Sequence, residues 1–410
     1  VRAARGLAAQ RRAERLPQVG AVAGYVKMEA PQDLKDLATA AAAATGADID
    51  ADDLDAQLYM AGFDASWELD LFGRRRRAAE EAVAKLQASE AALADAQVQV
   101  AAEVGQAYVD YRGLQQRIEA AEQQLEDART ALQLTRQRRE RGADSDLQVE
   151  RAQTQLRQQE AALPPLQAER DQRLDQLAVL VGREPGALDA DLAAPRPLPE
   201  LPAQVAVDDP ASVIRRRPDV RKAEREVAAA NAQIGQALSG YFPQVTLMGT
   251  LGAGASEPSG LDAGAASTLF VPYLRWSLFD FGRVRAQVEQ ARAGTQARVV
   301  AYQATVLAAL QDANTALSQF GAARRQLLAA QQARDSADRA AALMGQRNAA
   351  GAASQLDLLD VQRQQLSARD GALQAQVLLL VRYIGLHKSL GLGWQDAPAP
   401  ELPADARKSD

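Results

Sequence analysis

Hydrophobic and polar positions along this chain follow two periods. From Tyr59 to Leu71 the period is two: Tyr59, Ala61, Phe63, Ala65, Trp67, Leu69 and Leu71 fall on one side, with Gly62, Asp64, Ser66, Glu68 and Asp70 on the other. That alternation marks a strand with unlike faces. Phe270 to Phe281 repeats it, setting Phe270, Pro272, Leu274, Trp276 and Leu278 against Tyr273, Arg275 and Ser277. Two further alternating stretches, Gln18 to Val26 and Gln244 to Gly254, make a hairpin with each. The expected strands span 17–28, 58–72, 243–254 and 268–281. Too few other strands or bulky residues exist to cover these apolar faces with a core. Lipid suits them better, with Tyr59, Phe63, Trp67, Phe270 and Trp276 as membrane-facing aromatics.

Elsewhere the period is helical. Between Arg74 and Arg141 there is no proline, and Ala78, Ala82, Leu86, Ala92, Ala96, Val100 and Val104 recur at steps of three and four. This predicts one helix of about 68 residues, roughly 100 Å long at 1.5 Å per residue. Such a helix has no place in a compact domain and must pair in a coiled-coil wall, where alanine permits close approach. Gly142 suits a left-handed C-terminal turn, and Ser145-Asp146-Leu147-Gln148 has the spacing of a capping box. Gly351 and Ser354-Gln355-Leu356-Asp357 repeat the device. Helices are expected over 74–141, 145–181, 283–350 and 354–390. Pro164-Pro165 should kink or break the second of these near 164–165, whereas its counterpart has no proline before Gly391.

These parallels belong to one internal repeat. Trp67-Glu68-Leu69-Asp70-Leu71-Phe72-Gly73-Arg74 returns as Trp276-Ser277-Leu278-Phe279-Asp280-Phe281-Gly282-Arg283, an offset of about 209 residues. At that offset Gly142 falls on Gly351 and Val181-Gly182 on Leu390-Gly391. Pro17-Gln18-Val19 matches Pro243-Gln244-Val245 at an offset of about 226. The first copy therefore carries about 17 extra residues between Lys27 and Gln57, small, acidic and expected to form a loop. The division expected is a first repeat over 1–200, a linker and helix start over 201–226, a second repeat over 227–394 and a C-terminal tail over 395–410. At the larger offset Val1 aligns with Val227, so an N-terminal segment is expected to precede the visible chain.

Composition narrows the function. The 410 residues carry a net charge of −6 with basic and acidic residues interspersed, which argues against nucleic-acid binding. There is no cysteine and one histidine, His387, which removes disulfides, thiolate metal sites and a Cys/His nucleophile pair. No nucleophile elbow, P-loop or His-paired carboxylate occurs, so no catalytic residue, metal or cofactor is expected and the chain is read as no enzyme. No apolar run approaches the length of a membrane-spanning helix, so entry into a membrane has to be by strands. Four strands cannot close a barrel, and an open edge in lipid leaves backbone groups unsatisfied. Three copies would supply about twelve strands. The fold class expected is an α+β membrane protein of two repeats, each a β-hairpin on a long antiparallel helical hairpin, trimerising into a twelve-stranded β-barrel on an α-helical tunnel.

The chain resembles the TolC/OprM type of outer-membrane efflux ducts, in the lipoprotein branch that serves tripartite pumps. The residues that carry the resemblance are Arg216-Arg217-Pro218-Asp219, Ala223-Glu224, Ala230-Asn231-Ala232-Gln233-Ile234, Tyr241-Phe242-Pro243, the two Trp-to-Gly-Arg segments, and Gly351 through Leu356-Asp357-Leu358-Leu359-Asp360. They lie in the family's order from about Pro17 to Trp394. The resemblance implies a homotrimer in the Gram-negative outer membrane, with its helical tunnel in the periplasm. There it meets a periplasmic adaptor, or membrane fusion protein, and through it an inner-membrane pump.

Drugs or other small solutes would pass as through a passive duct. A duct for type I protein secretion is the alternative, and a soluble coiled-coil scaffold a remoter one. The resemblance further implies a helical gate of acidic rings at the positions of Asp357 and Asp360. Cap and surface roles suit these two residues equally. Gly142, Asp144, Ser145, Asp146, Gly351 and Ser354 would form the helical tips that contact the adaptor. Ala353 departs from relatives that carry a charge there. The branch's acylated N-terminal cysteine is absent, so an N-terminal lipid anchor is expected only outside the visible chain.

Overall fold

The computed structural model describes residues 1–45, 56–202, 215–260 and 266–392. Helix α1 (Arg2–Ala13) leads into strand β1 (Gln18–Met28), helix α2 (Gln32–Thr45) and strand β2 (Ala56–Leu69). The long α3 (Arg74–Glu140) and α4 (Asp146–Leu180) follow, then the single turn α5 (Asp189–Leu192). The second copy comprises α6 (Pro218–Leu238), β3 (Gln244–Ala255), β4 (Ala266–Arg275), α7 (Arg283–Ala349) and α8 (Gln355–Ser389). The lengths repeat as well: α3 and α7 have 67 residues each, α4 and α8 have 35.

Several expectations need correction. The 27–57 insert is not simply a loop, because its alanine run forms α2, with the amides of Leu34 and Lys35 bonded to the carbonyl of Pro31. Alanine has the highest helix propensity of any residue, and that outweighs the run's loop-like composition. The acids Asp48, Asp50, Asp52 and Asp53 lie outside the described residues. Pro164 and Pro165 do not break α4, which runs through both. They sit on an exposed face, where carbonyls deprived of a partner can turn to water. Strand β4 stops at Arg275 instead of reaching Phe281, so Trp276 lies beyond it, and β2 stops at Leu69. Within 201–226, where a linker and helix start are expected, α6 begins at Pro218. The tail expected over 395–410 lies outside the described residues.

Contacts divide the chain across the repeats, not between them. One compact unit joins Val1–Glu90 to Lys222–Tyr302, and the other joins Ala91–Arg221 to Gln303–Asp410. Each unit thus draws on both copies.

The first unit holds the sheet, ordered β1-β2-β3-β4 and antiparallel throughout. Its two hairpins have the same register. Gln18 faces Ser66 in one and Gln244 faces Arg275 in the other, which are the same positions moved by the two repeat offsets. Between the copies β2 pairs with β3, and there Gly62 opposes Gly252. A Cβ on Gly62 would stand 2.5 Å from the Leu251 carbonyl oxygen, so the backbones meet with no room for side chains. Beneath the sheet, α1, the first turns of α3 and α6 pack through buried alanines such as Ala8, Ala82 and Ala232. Glu81 accepts from Gln233 Nε2 at 2.8 Å and from Gln236 Nε2 at 2.6 Å.

In the second unit each copy has its own core. Ala107 and Tyr111 of α3 pack on Leu174 and Leu177 of α4, and Phe320 and Ala323 of α7 pack on Leu379 and Leu386 of α8. Tyr111 and Phe320 are repeat counterparts, as are Leu177 and Leu386. Val109 of α3, Leu198 and Leu380 of α8 join the two.

Candidate functional site: an apolar sheet face and two helical tips

The register settles which strand residues share a face. Tyr25, Tyr59, Phe63, Trp67, Leu247, Leu251, Phe270 and Leu274 stand on one side, opposite Asp64, Ser66, Glu68, Thr246 and Thr250. Tyr25 and Tyr59 touch across the first hairpin with ring centroids 4.7 Å apart. Phe63, Leu251, Phe270 and Leu274 are all more than half exposed. The second face is mixed, since Val22, Met248, Val271 and Tyr273 share it with the polar residues, whereas a contiguous apolar face of the first kind is a contact surface. Edges β1 and β4 have no strand partner among the described residues. Trp276, although outside β4, is fixed by its indole Nε1, which donates to the Tyr241 carbonyl at 3.1 Å.

Two helical turns close the hairpins of the second unit. At the first, Gly142 takes φ +74°, and the amides of Gly142 and Ala143 bond back to the carbonyls of Arg139 and Arg138 at 2.8 Å each. The Asp144 side chain is buried, with Oδ2 3.2 Å from Arg138 Nε in an ion pair lacking the angle of a hydrogen bond. Asp146 is exposed and pairs with Arg139 at 2.8 Å. The amide of Ser145 donates to Gln148 Oε1 at 3.2 Å.

The second turn is the same device with different side chains. Gly351 takes φ +73°, the Ala352 amide bonds to the Arg347 carbonyl at 2.8 Å, and Asn348 Nδ2 donates to the Ala353 carbonyl at 3.1 Å. Ser354 and Asp357 cap each other. Ser354 Oγ accepts from the Asp357 amide at 3.2 Å, and Asp357 Oδ2 accepts from the Ser354 amide at 3.2 Å and its hydroxyl at 2.8 Å. One turn on, Asp360 is exposed and paired with Arg363 at 3.0 Å. Asp357 and Asp360 are thus three apart on one face of the first turns of α8.

Two buried arginines escaped the sequence reading. Arg112 Nη1 donates to the Ala194 carbonyl at 2.7 Å and the Leu192 carbonyl at 3.2 Å, pinning the segment after α5 to α3. Arg217 Nη1 donates to the Ser389 carbonyl at 2.8 Å, and its Nη2 meets Asp219 at 2.8 Å and Asp312 at 3.2 Å. It thereby fastens the start of α6 to α7 and to the end of α8. The Arg-Arg-Pro-Asp motif was the available signal, read only as a mark of resemblance. Among the described residues no cluster of His, Cys, Asp or Glu could hold a metal ion, and no helix is long and apolar enough to cross a membrane.

Comparison with known proteins adds relatives to this geometry. The profile described as "Outer membrane efflux protein" matches residues 1–183 and 210–392, two segments separated by the same offset as the tryptophan motifs. Outer membrane protein OprJ of Pseudomonas aeruginosa is 32% identical over 402 residues, covering 97% of this chain and 80% of its own. The pyoverdine export outer membrane protein OpmQ of the same species is 31% identical over 358 residues, covering 86% and 73%. Among solved structures, the outer-membrane channel OprN superposes with a TM-score of 0.82 at 36% identity, over 96% of this chain and 85% of that one. VceC of Vibrio cholerae, at 23% identity and TM-score 0.81 over 96% and 91%, shares the fold.

Proposed function

This chain belongs to the outer membrane efflux protein family, and from that premise we propose that three copies close their open sheets into one barrel. It is the outer-membrane channel component of an efflux pump, located in the outer membrane with its helical part in the periplasm, and it is not an enzyme. The observation that carries the assembly is the four-stranded sheet with an apolar face and two edges that have no strand partner among the described residues. In lipid each unpaired edge group costs several kcal/mol, so the edges have to find each other. Three copies of four strands give a twelve-stranded barrel within the known range of sizes. Tyr59, Phe63, Trp67, Phe270 and Trp276 then face outer-membrane lipid.

The partners proposed are a periplasmic adaptor and the inner-membrane pump it serves, with Gly142, Asp144, Ser145, Asp146, Gly351 and Ser354 at the adaptor contact. Drugs and other small solutes pass unchanged. Asp357 and Asp360 line the closed helical end, where three-fold symmetry brings their carboxylates together and attracts cations.

Light scattering on the detergent-extracted protein, corrected for bound detergent, should give three times the 43.8 kDa of this chain. A monomer that stays in solution without detergent would overturn the assembly. For the gate, Asp357→Asn with Asp360→Asn keeps the hydrogen-bonding shape and removes the charge. Conductance in planar bilayers should rise and block by divalent and trivalent cations should weaken. Unchanged conductance and block would remove the acidic gate.

A further inference from the structure

We infer the residue-level seam between copies from the joint that the chain already makes between its own two repeats; this rests on the trimeric barrel proposed above. Where the first copy meets the second, Phe72 stacks on Phe242 with ring centroids 4.6 Å apart and planes within 8°, and β2 pairs with β3. Moved by the repeat offsets, Phe72 becomes Phe281 and Phe242 becomes Leu16. Both lack that partner within the chain: Phe281 is fully exposed and Leu16 is 64% exposed. The joint is therefore complete once inside each chain and half-built at each of its ends. A second copy of this chain is the occupant that fits both halves.

The backbone at Phe281 points the same way. Phe281 is the one non-glycine residue with positive φ among the described residues, at +51°. In the first copy Asp70 caps α3 from three positions before Gly73, accepting from the amides of Arg75 and Arg76. In the second copy Asp280 caps α7 from only two positions before Gly282, accepting from the amides of Gly282 and Val284. The shorter approach bends the chain into the left-handed region at Phe281, an unfavourable place for an aromatic residue. None of the described residues covers the ring so presented.

The same mapping fixes the strand register. The pairs Gly62 with Gly252, Asp64 with Thr250 and Ala65 with Gly249 become Val271 with Val26, Tyr273 with Gly24 and Leu274 with Ala23 of the next copy. The correspondence has an internal check, since the two hairpins carry the identical register under the same offsets. It is also sterically sensible: Tyr273 meets a glycine and Leu274 an alanine, and Val271 meets a valine. A slip by one residue would put unlike faces together.

The chain has no cysteine, so introduced pairs report without background. In full-length protein in outer membranes, Val271→Cys with Val26→Cys should cross-link copies under mild oxidation. Val271→Cys with Gly24→Cys or with Met28→Cys, each displaced by two residues, should link several-fold less. Equal or stronger linking in a displaced pair overturns the register. A trimer by mass that links in none of the three overturns the seam while leaving the trimer standing, and a monomer by mass removes the trimer itself. Phe281→Ala should weaken trimer association about tenfold or more. Combined with Leu16→Ala it should cost less than the two separate losses together, and strictly additive losses would remove the contact.

Discussion

The indole nitrogen of Trp67 donates to the carbonyl oxygen of Arg15 at 3.0 Å, tying the end of β2 to the segment between α1 and β1. Trp276 makes the counterpart bond to Tyr241 in the second copy. Trp67→Phe keeps the apolar ring and deletes only the donor. It should lower stability by about 1 kcal/mol, the net worth of one such bond. Urea unfolding of the detergent-solubilised protein would measure it, and Trp276→Phe should shift the midpoint by a similar amount.

Arg217 is a buried cation with carbonyl and carboxylate partners on three helices. Arg217→Met should cost about 3 kcal/mol, the lower end for breaking a buried pair, because Asp219 and Asp312 keep access to water. A Cβ on Gly391 would stand 3.2 Å from the Arg217 backbone, and Gly391 has φ +65°. Gly391→Ala should therefore lose at least about 1 kcal/mol for the left-handed backbone alone. Urea midpoints of the two variants and of the double variant would show whether both act on one joint.

Two groups of the second unit give opposite pH dependences. Burial, opposed by Arg173 and reinforced by Glu169, holds the Asp110 carboxyl above its ordinary value of 3.8. The folded state then keeps that proton longer than the unfolded one, so stability falls as pH rises from 3.8 through the folded value. Asp110→Asn should flatten this slope and leave the protein no less stable at neutral pH. Burial holds the His387 imidazole below 6.5, with Nε2 buried and unbonded. Stability is present above 6.5 and is lost as pH falls through the lowered value, since the unfolded chain takes the proton first. His387→Gln should remove that loss. Urea midpoints from pH 4 to pH 8 would separate the two.

The reciprocal cap at the second tip makes a local prediction. Ser354→Ala removes the acceptor for the Asp357 amide and should cost about 1 kcal/mol. The loss should be confined to the first turn of α8, seen as faster amide exchange there with α7 unchanged beyond its last turn.

The sequence made the strands legible chiefly through β2 and the start of β3, where apolar residues alternate with polar ones, and made the long helices legible because proline is absent from α3 and α7. The glycine tips could be read since a left-handed turn needs glycine, and both Gly142 and Gly351 take it up. What misled was local composition. The alanine run of the insert looked like a loop and is α2, and Pro164-Pro165 looked like a break in a helix that water-exposed carbonyls allow to continue. The alternation past Arg275 suggested more strand than there is, because Asp280 caps α7 and its turn takes the chain out of the ladder. Arg112 and Arg217 were invisible as structural groups, since nothing in a run of arginines distinguishes the one whose partners arrive from distant segments. The acids at 357 and 360 could be placed on one helix face, with one completing a cap and the other meeting Arg363.

Gly62 and Gly252 face each other where the two copies join, each blocking a side chain on the other. The row they belong to continues across the sheet as Val22 and Ser267, on the side away from the large aromatics. In the proposed trimer the sheet supplies one third of a closed cylinder and has to turn through one third of a circle, and bulk on its concave side resists that turn. Here the two central positions of that row carry no side chain at all. The line along which the two repeats join is thus also a line along which the wall can curl, and a methyl group placed there would crowd the facing strand.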